Sequence, residues 1–304
     1  MKKSFLAILL FSIFVRTSIW SLDLKEIQSI KLTGVYAGAM YALDNDSIIV
    51  WDNTGSNSGS FILNIRNGQF TNIPEYKWVE TTDRKFSFLL YPADPFDSYD
   101  FRLNVVQIGK AKGYSDIIRM VDITGDKYSF IRYTLPEMKE SIIDDSILYD
   151  KKNSIYIHYP TITPYGYIFG NSAMFCTIGN GMSEIFVFTI DEHDKMVGVK
   201  KIESSIPYLK PITETIFVGA EFQKYSHEGD ENSYGEWLLI VAEPEKDISR
   251  TTSIRVIGRE HENIDSVFIT MPDGKTVVYV KNIIPYKDGK VINEIELGVA
   301  ELVY

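Results

Sequence analysis

The chain predicts an all-β protein, on three observations. Short runs rich in Tyr, Phe, Ile and Val alternate with polar residues at a period of two, the pattern of a half-buried strand. Asn67-Gly68, Asn180-Gly181 and Asp288-Gly289 separate such runs, and these dipeptides accept the positive φ that tight hairpins require. Helix signals are sparse, and no β/α alternation of the kind that builds parallel sheets is present.

In chain order the expected strands are Ser29–Tyr36, Ser47–Trp51, Ser60–Ile65, Phe86–Tyr91, Phe101–Ile108 and Tyr128–Tyr133. Ser154–Tyr159, Glu184–Ile190, Thr215–Phe222, Glu236–Ala242, Thr252–Ile257 and Ser266–Thr270 follow. Thr276–Val280, Val291–Leu297 and Val299–Val303 complete the set. Each run has strand length, not helix length. Pro272-Asp273-Gly274 is a turn in which Pro presets φ ahead of the bend. Two stretches read as short helices: Asp23–Ile30, and Leu135–Ile143 with Pro136 in its first turn.

The first residues read as a secretory signal peptide over 1–21. Lys2 and Lys3 form its charged start, Phe5–Val15 its apolar core, and Ser21 a small residue at the cleavage edge. That core is shorter than the roughly 20 residues a membrane span needs. The expectation is an exported protein, periplasmic or secreted, whose domain runs from 22 to 304 and is not inserted in a membrane after cleavage. The alternative is an uncleaved signal acting as an anchor. The lone cysteine, Cys176, cannot make an internal disulfide, so an exported chain of this size must rely on its core. Cys176 itself reads as a small apolar residue on a strand. The formal charge is −10, and near −13 once Lys2, Lys3 and Arg16 are removed. Such a balance disfavours nucleic acid and anionic membrane surfaces as partners.

Turn-then-strand units begin near Asn45, Asp83, Gly125, Pro164, Thr213 and Asp273, the earlier ones at intervals close to 40 residues. That interval is about the length of one four-stranded propeller blade. The predicted architecture is a single β-propeller of about six to seven blades, with tandem β-sandwich domains as the alternative. Ring closure predicts that Ser29–Tyr36 pairs beside a strand from the C-terminal end, since an open ring leaves unpaired edges.

Met271-Pro272-Asp273-Gly274-Lys275-Thr276-Val277-Val278-Tyr279 resembles the turn-then-strand element of TolB-like and WD40-like propeller repeats. Ile48-Ile49-Val50-Trp51-Asp52 resembles the strand ending of a WD repeat. The resemblance implies a propeller scaffold that offers a binding surface, and no particular activity.

Sites read from sequence are weak. Asp94, Asp97 and Asp100 could offer hard oxygen ligands to Ca²⁺, although their spacing fits no calcium loop. The oxygen-rich stretches 44–47 and 51–59 read first as turns and second as a lectin-like or calcium loop. His158, His193, His227 and His261 show no metal-ligand spacing. Asp191–Lys195, which carries His193, reads as a hairpin tip. Neither Gly113-Tyr114-Ser115-Asp116-Ile117 nor Gly55-Ser56-Asn57-Ser58-Gly59 is a nucleophile elbow. No cofactor is expected and catalysis is not evident. The functional expectation is a binding or scaffold protein of a bacterial cell envelope, with another envelope protein as partner. The alternative is a glycan-active hydrolase or carbohydrate-binding module on the same scaffold.

Overall fold

The computed structural model describes residues 22–34, 37–42, 45–52, 60–72, 78–80, 87–89, 104–110, 113–122, 128–134, 139–149, 167–169, 172–179, 182–225, 234–259, 267–287 and 290–304. Residues 1–21, and with them the signal-peptide reading, lie outside this set. So does the expected strand Ser154–Tyr159.

Every extended element is a strand in an antiparallel sheet. β1 (Asp23–Thr33) opens the chain. β2 (Ala37–Ala42), β3 (Ser47–Asp52), β4 (Ser60–Asn64) and β5 (Phe70–Asn72) form the first four-stranded sheet. β6 (Trp78–Glu80) and β7 (Ser87–Leu89) pair alone among the described residues. A second meander holds β8 (Asn104–Lys110), β9 (Gly113–Asp122), β10 (Tyr128–Thr134) and β11 (Lys139–Ile143). A third holds β12 (Tyr167–Phe169), β13 (Ser172–Gly179), β14 (Met182–Ile190) and β15 (Met196–Ser204). A fourth holds β16 (Lys210–Pro211), β17 (Phe217–Tyr225), β18 (Tyr234–Glu243) and β19 (Ile248–Arg259). The last holds β20 (Phe268–Thr270), β21 (Thr276–Lys287) and β22 (Lys290–Val303), and its fourth strand is β1. Short 3-10 turns occupy Ser146–Tyr149 and Pro244–Lys246.

The expected turns are where the hairpins bend. Gly68 (φ 71°) follows β4, and Gly274 (φ 75°) ends the Pro272-Asp273-Gly274 turn before β21. In that turn the Met271 N–H donates to the Thr276 carbonyl at 2.8 Å, while the Thr276 N–H donates to the Asp273 carboxylate at 2.8 Å. Gly179 pairs with Met182 and Lys287 with Lys290; Asn180-Gly181 and Asp288-Gly289 lie outside the described residues. Val291–Leu297 and Val299–Val303 are one continuous strand, β22.

Both helix expectations are corrected. Asp23–Ile30 belongs to β1, which runs against β22 from Asp23–Val303 to Thr33–Glu294. Leu24, Ile27 and Ile30 have helix-like spacing because a β-bulge between Glu26 and Gln28 interrupts the alternation. Leu24 and Ile30 are buried at 4% and 6% exposure, while Ile27 stands out at 47%. Within Leu135–Ile143, the described part, Lys139–Ile143, is β11 paired to β10. There Ile143 is buried beside an exposed Ile142, a strand's alternation. Pairing to β10 outweighs the weak helix propensity of this stretch.

One apolar core joins the fourth sheet to the last and the last to the first. It includes Val218, Trp237, Leu239 and Val256 from the fourth, Val277, Val278, Leu297 and Val299 from the last, and Ile48, Val50 and Leu63 from the first. β20 touches both β16 and β2, and β12 touches β8. In these three pairs the first strands of two sheets are neighbours, and the last sheet has the first beside it. Arg66, after β4, bonds Asp46 at 2.8 Å and reaches Glu301 at 3.4 Å and Asp273 at 3.5 Å. It ties the first sheet to the last.

Candidate functional site

Most sequence candidates do not assemble. Asp94, Asp97 and Asp100 lie outside the described residues, as do His158, His227, His261 and loop 53–59. Among the described residues no group of three or more His, Cys, Asp or Glu could hold a metal ion. Asp46, from the oxygen-rich stretch before β3, faces the Arg66 guanidinium. Asp191–Lys195 is the β14–β15 turn: the Asp191 carboxylate accepts from the backbone N–H groups of His193 and Lys195, at 2.9 and 3.0 Å. The His193 side chain is exposed there. Ser115 sits within strand β9, with no strand-to-helix turn to expose it. Cys176 is on β13 opposite Ile185, on a strand as expected; its side chain lies outside the described set.

Two features that sequence reading missed stand on the fourth and last sheets. The first is an open groove of about 680 Å³ between β1 and β19. Its lining includes consecutive residues from each strand, Asp23 to Glu26 and Ser253 to Arg255. A strand face would supply alternate residues, so the strand edges line this groove. β1 and β19 are the terminal strands of their sheets.

Tyr279 of β21 forms part of the groove floor. Its ring passes over Gly298 of β22, and its hydroxyl donates to the Glu26 carboxylate on β1. Lys281 donates to the same carboxylate at 2.6 Å and to Ser29 Oγ at 3.2 Å, and Ser29 donates to Glu296 at 2.7 Å. Burial alone would raise the Glu26 carboxyl, yet the hydrogen bonds from Lys281 and Tyr279 together hold it below the usual range. Burial, followed by the neighbouring Glu26 charge, pushes the Tyr279 phenol well above its ordinary value. It therefore acts as a hydrogen-bond donor, not as a phenolate nucleophile.

The second feature is aromatic. Phe222 and Tyr225, near the end of β17, lie 4.7 Å apart between ring centroids, and Phe222 meets Trp237 edge-on at 5.7 Å. Phe222 and Tyr225 are 44% and 39% exposed, whereas Trp237 is buried beneath them. Glycine creates the seat. A Cβ at Gly235 would stand 2.2 Å from the Trp237 ring, and one at Gly258 would stand 2.5 Å from Val267. Phe222 pairs with Trp237 and Tyr225 with Gly235, so the β17–β18 register brings the three rings together. The bulge between Phe222 and Lys224 re-aims the strand end and sets Tyr225 beside Phe222. Period-two reading finds the strands but not this register.

No family model matches the chain, and no curated protein matches it in sequence. Among solved structures it is similar to a member of the DUF4221 family from Bacteroides vulgatus: 11% identity, TM-score 0.48, 92% of this chain and 98% of that one covered. It is also similar to TolB from Acinetobacter baumannii, at 9% identity and TM-score 0.37, covering 86% of this chain and 63% of that one. The WD40 domain of SCAP from fission yeast matches at 9% identity and TM-score 0.29, covering 91% and 74%. No helix among the described residues is long and apolar enough to cross a membrane.

Proposed function

We propose that this chain is an exported scaffold protein of a bacterial cell envelope, built as one six-bladed β-propeller, and that it binds another envelope protein. Six sheets follow one another among the described residues, and β1 supplies the outer strand of the last; this supports the blade count and closure. The observation that carries the binding role is the aromatic platform. Exposed Phe222 and Tyr225 over a buried Trp237 form an anchored apolar contact of the kind that dominates protein interfaces. Glu26 and Glu296 both meet Lys281, at 2.6 and 3.7 Å, and Glu236 lies 3.8 Å from Arg255, so these carboxylates in and beside the groove are engaged by cations, which disfavours the glycan-hydrolase reading.

The test is capture from an envelope extract with the mature protein, compared with Phe222→Ala/Tyr225→Ala. A specific protein retained by the wild type and lost with the double variant supports the reading. Equal capture by both proteins removes the platform from the account.

A further inference from the structure

We propose that the outer edge of β19 takes up an extended, acidic peptide segment as an added strand. The edge adjoins the seat of the aromatic platform at Gly258, but it lies two strands from Phe222 and Tyr225 and does not use those rings. β19 reads Ile-Ser-Arg-Thr-Thr-Ser-Ile-Arg-Val-Ile-Gly-Arg: Arg250, Arg255 and Arg259 with no acidic residue, in a chain of formal charge −10. It is the terminal strand of its sheet, so one side of its backbone lacks a ladder partner among the described strands. Ser249, Thr251 and Ser253 are exposed beside the arginines.

The cations are available. Arg255 is 70% exposed and lies 3.8 Å from Glu236; Arg250 is 50% exposed and lies 3.6 Å from Asp23. Exposed pairs this long hold their partners weakly. Separate carboxylates presented by a ligand strand can recruit each of them, because the guanidinium fork bonds a carboxylate in a bidentate manner.

Geometry sets the register of the guest. The β18–β19 pairing shifts between Leu238 and Ile240, which leaves residues 252–254 as a bulge, and Ser253 and Ile254 line the groove there. The regular stretch from Arg255 to Arg259 is where an added backbone pairs. Beyond it the guest runs past the bulge toward Arg250. Ile257 gives apolar contact on the groove wall, above the buried Ile254. The facing edge, β1, is the poorer host. It presents Asp23 and Glu26 beside Lys25, a mixed set, where the charged residues of β19 are all arginines.

The experiment titrates the full mature protein against a fluorescently labelled peptide of alternating Glu and Val. Its Lys–Val counterpart, and the Glu–Val peptide N-methylated at alternate amides, are titrated in parallel. The expected result is binding of Glu–Val alone, weakened by salt and reduced about tenfold or more in Arg250→Glu/Arg255→Glu. Arg250→Lys/Arg255→Lys is expected to retain part of it, and Phe222→Ala/Tyr225→Ala all of it. Equal binding of the Glu–Val and Lys–Val peptides overturns the charge argument, as does indifference to the double reversal in a variant whose thermal transition is intact. Equal binding of the N-methylated peptide overturns strand addition.

Discussion

Gly298 lies under the ring of Tyr279: a Cβ built on the glycine would stand 2.2 Å from Cζ and 2.5 Å from the hydroxyl oxygen. The two residues pair across β21 and β22, and Ser29 of β1 follows in the same row. The missing side chain lets the phenol cross a whole strand and bond Glu26. β1 is thereby fastened to β21, a strand it does not touch through its backbone ladder.

Gly298→Ala therefore forces the Tyr279 ring off its seat and breaks the bond to Glu26. The ring is buried and its surroundings are packed, so the expected loss is about 2 to 3 kcal/mol. Denaturant unfolding measures it. A wild-type midpoint would mean that the ring has room to move.

The Glu26 carboxyl is held below its ordinary value of 4.5 in the folded protein. Its contribution is complete above that value and is lost as pH falls through the lower folded value. Glu26→Gln should lower stability at neutral pH and remove this part of the acid limb, so that the variant and the wild type converge in acid. Thermal melts across pH 2 to 7 read both slopes; parallel curves would contradict the coupling.

Deleting residues 23–33 exposes the edge of β22 along its length and removes Leu24, Ile30 and Leu32 from the core. Truncation after Gly298 removes Val299, Ala300 and Leu302 as well as the partners of residues 23–28. Either change should abolish the cooperative thermal transition. A variant that unfolds like the wild type would favour independent sandwich units over a closed ring.

Arg66→Ala cuts the bridge from the first sheet to Asp273 and Glu301. Arg66 is 38% exposed, so water screens the network, and the loss should be about 1 kcal/mol or less. The effect should shrink in high salt. A salt-independent loss would point to packing of the Arg stem instead.

Gly235→Ala acts on the aromatic platform from below, since its Cβ would meet the Trp237 ring at 2.2 Å. Capture of a partner should fall as it does in Phe222→Ala/Tyr225→Ala, although both exposed rings remain. Undiminished capture would separate the platform's shape from its function.

The all-β class, most strands and the hairpin turns follow from the sequence, because period-two alternation and turn dipeptides act over a few neighbouring residues. Ser47–Trp51, Glu184–Ile190 and Thr276–Val280 show it: each falls within an observed strand. The pairing of an early strand with the C-terminal one was also legible, as the pairing a propeller reading requires, and β1 does pair with β22. What local pattern misread is where a bulge intervenes. Leu24, Ile27 and Ile30 imitate a helix face because the bulge at Glu26/Gln28 adds one residue to a strand. Glu26 could not be matched to Tyr279, 253 residues away, nor Phe222 to Trp237, without the register that aligns them. The groove is invisible along the chain for the same reason: its walls are the edges of β1 and β19, and two edges become neighbours only when separate sheets pack. Local periodicity fixes which residues face inward; register and sheet packing decide which of them meet.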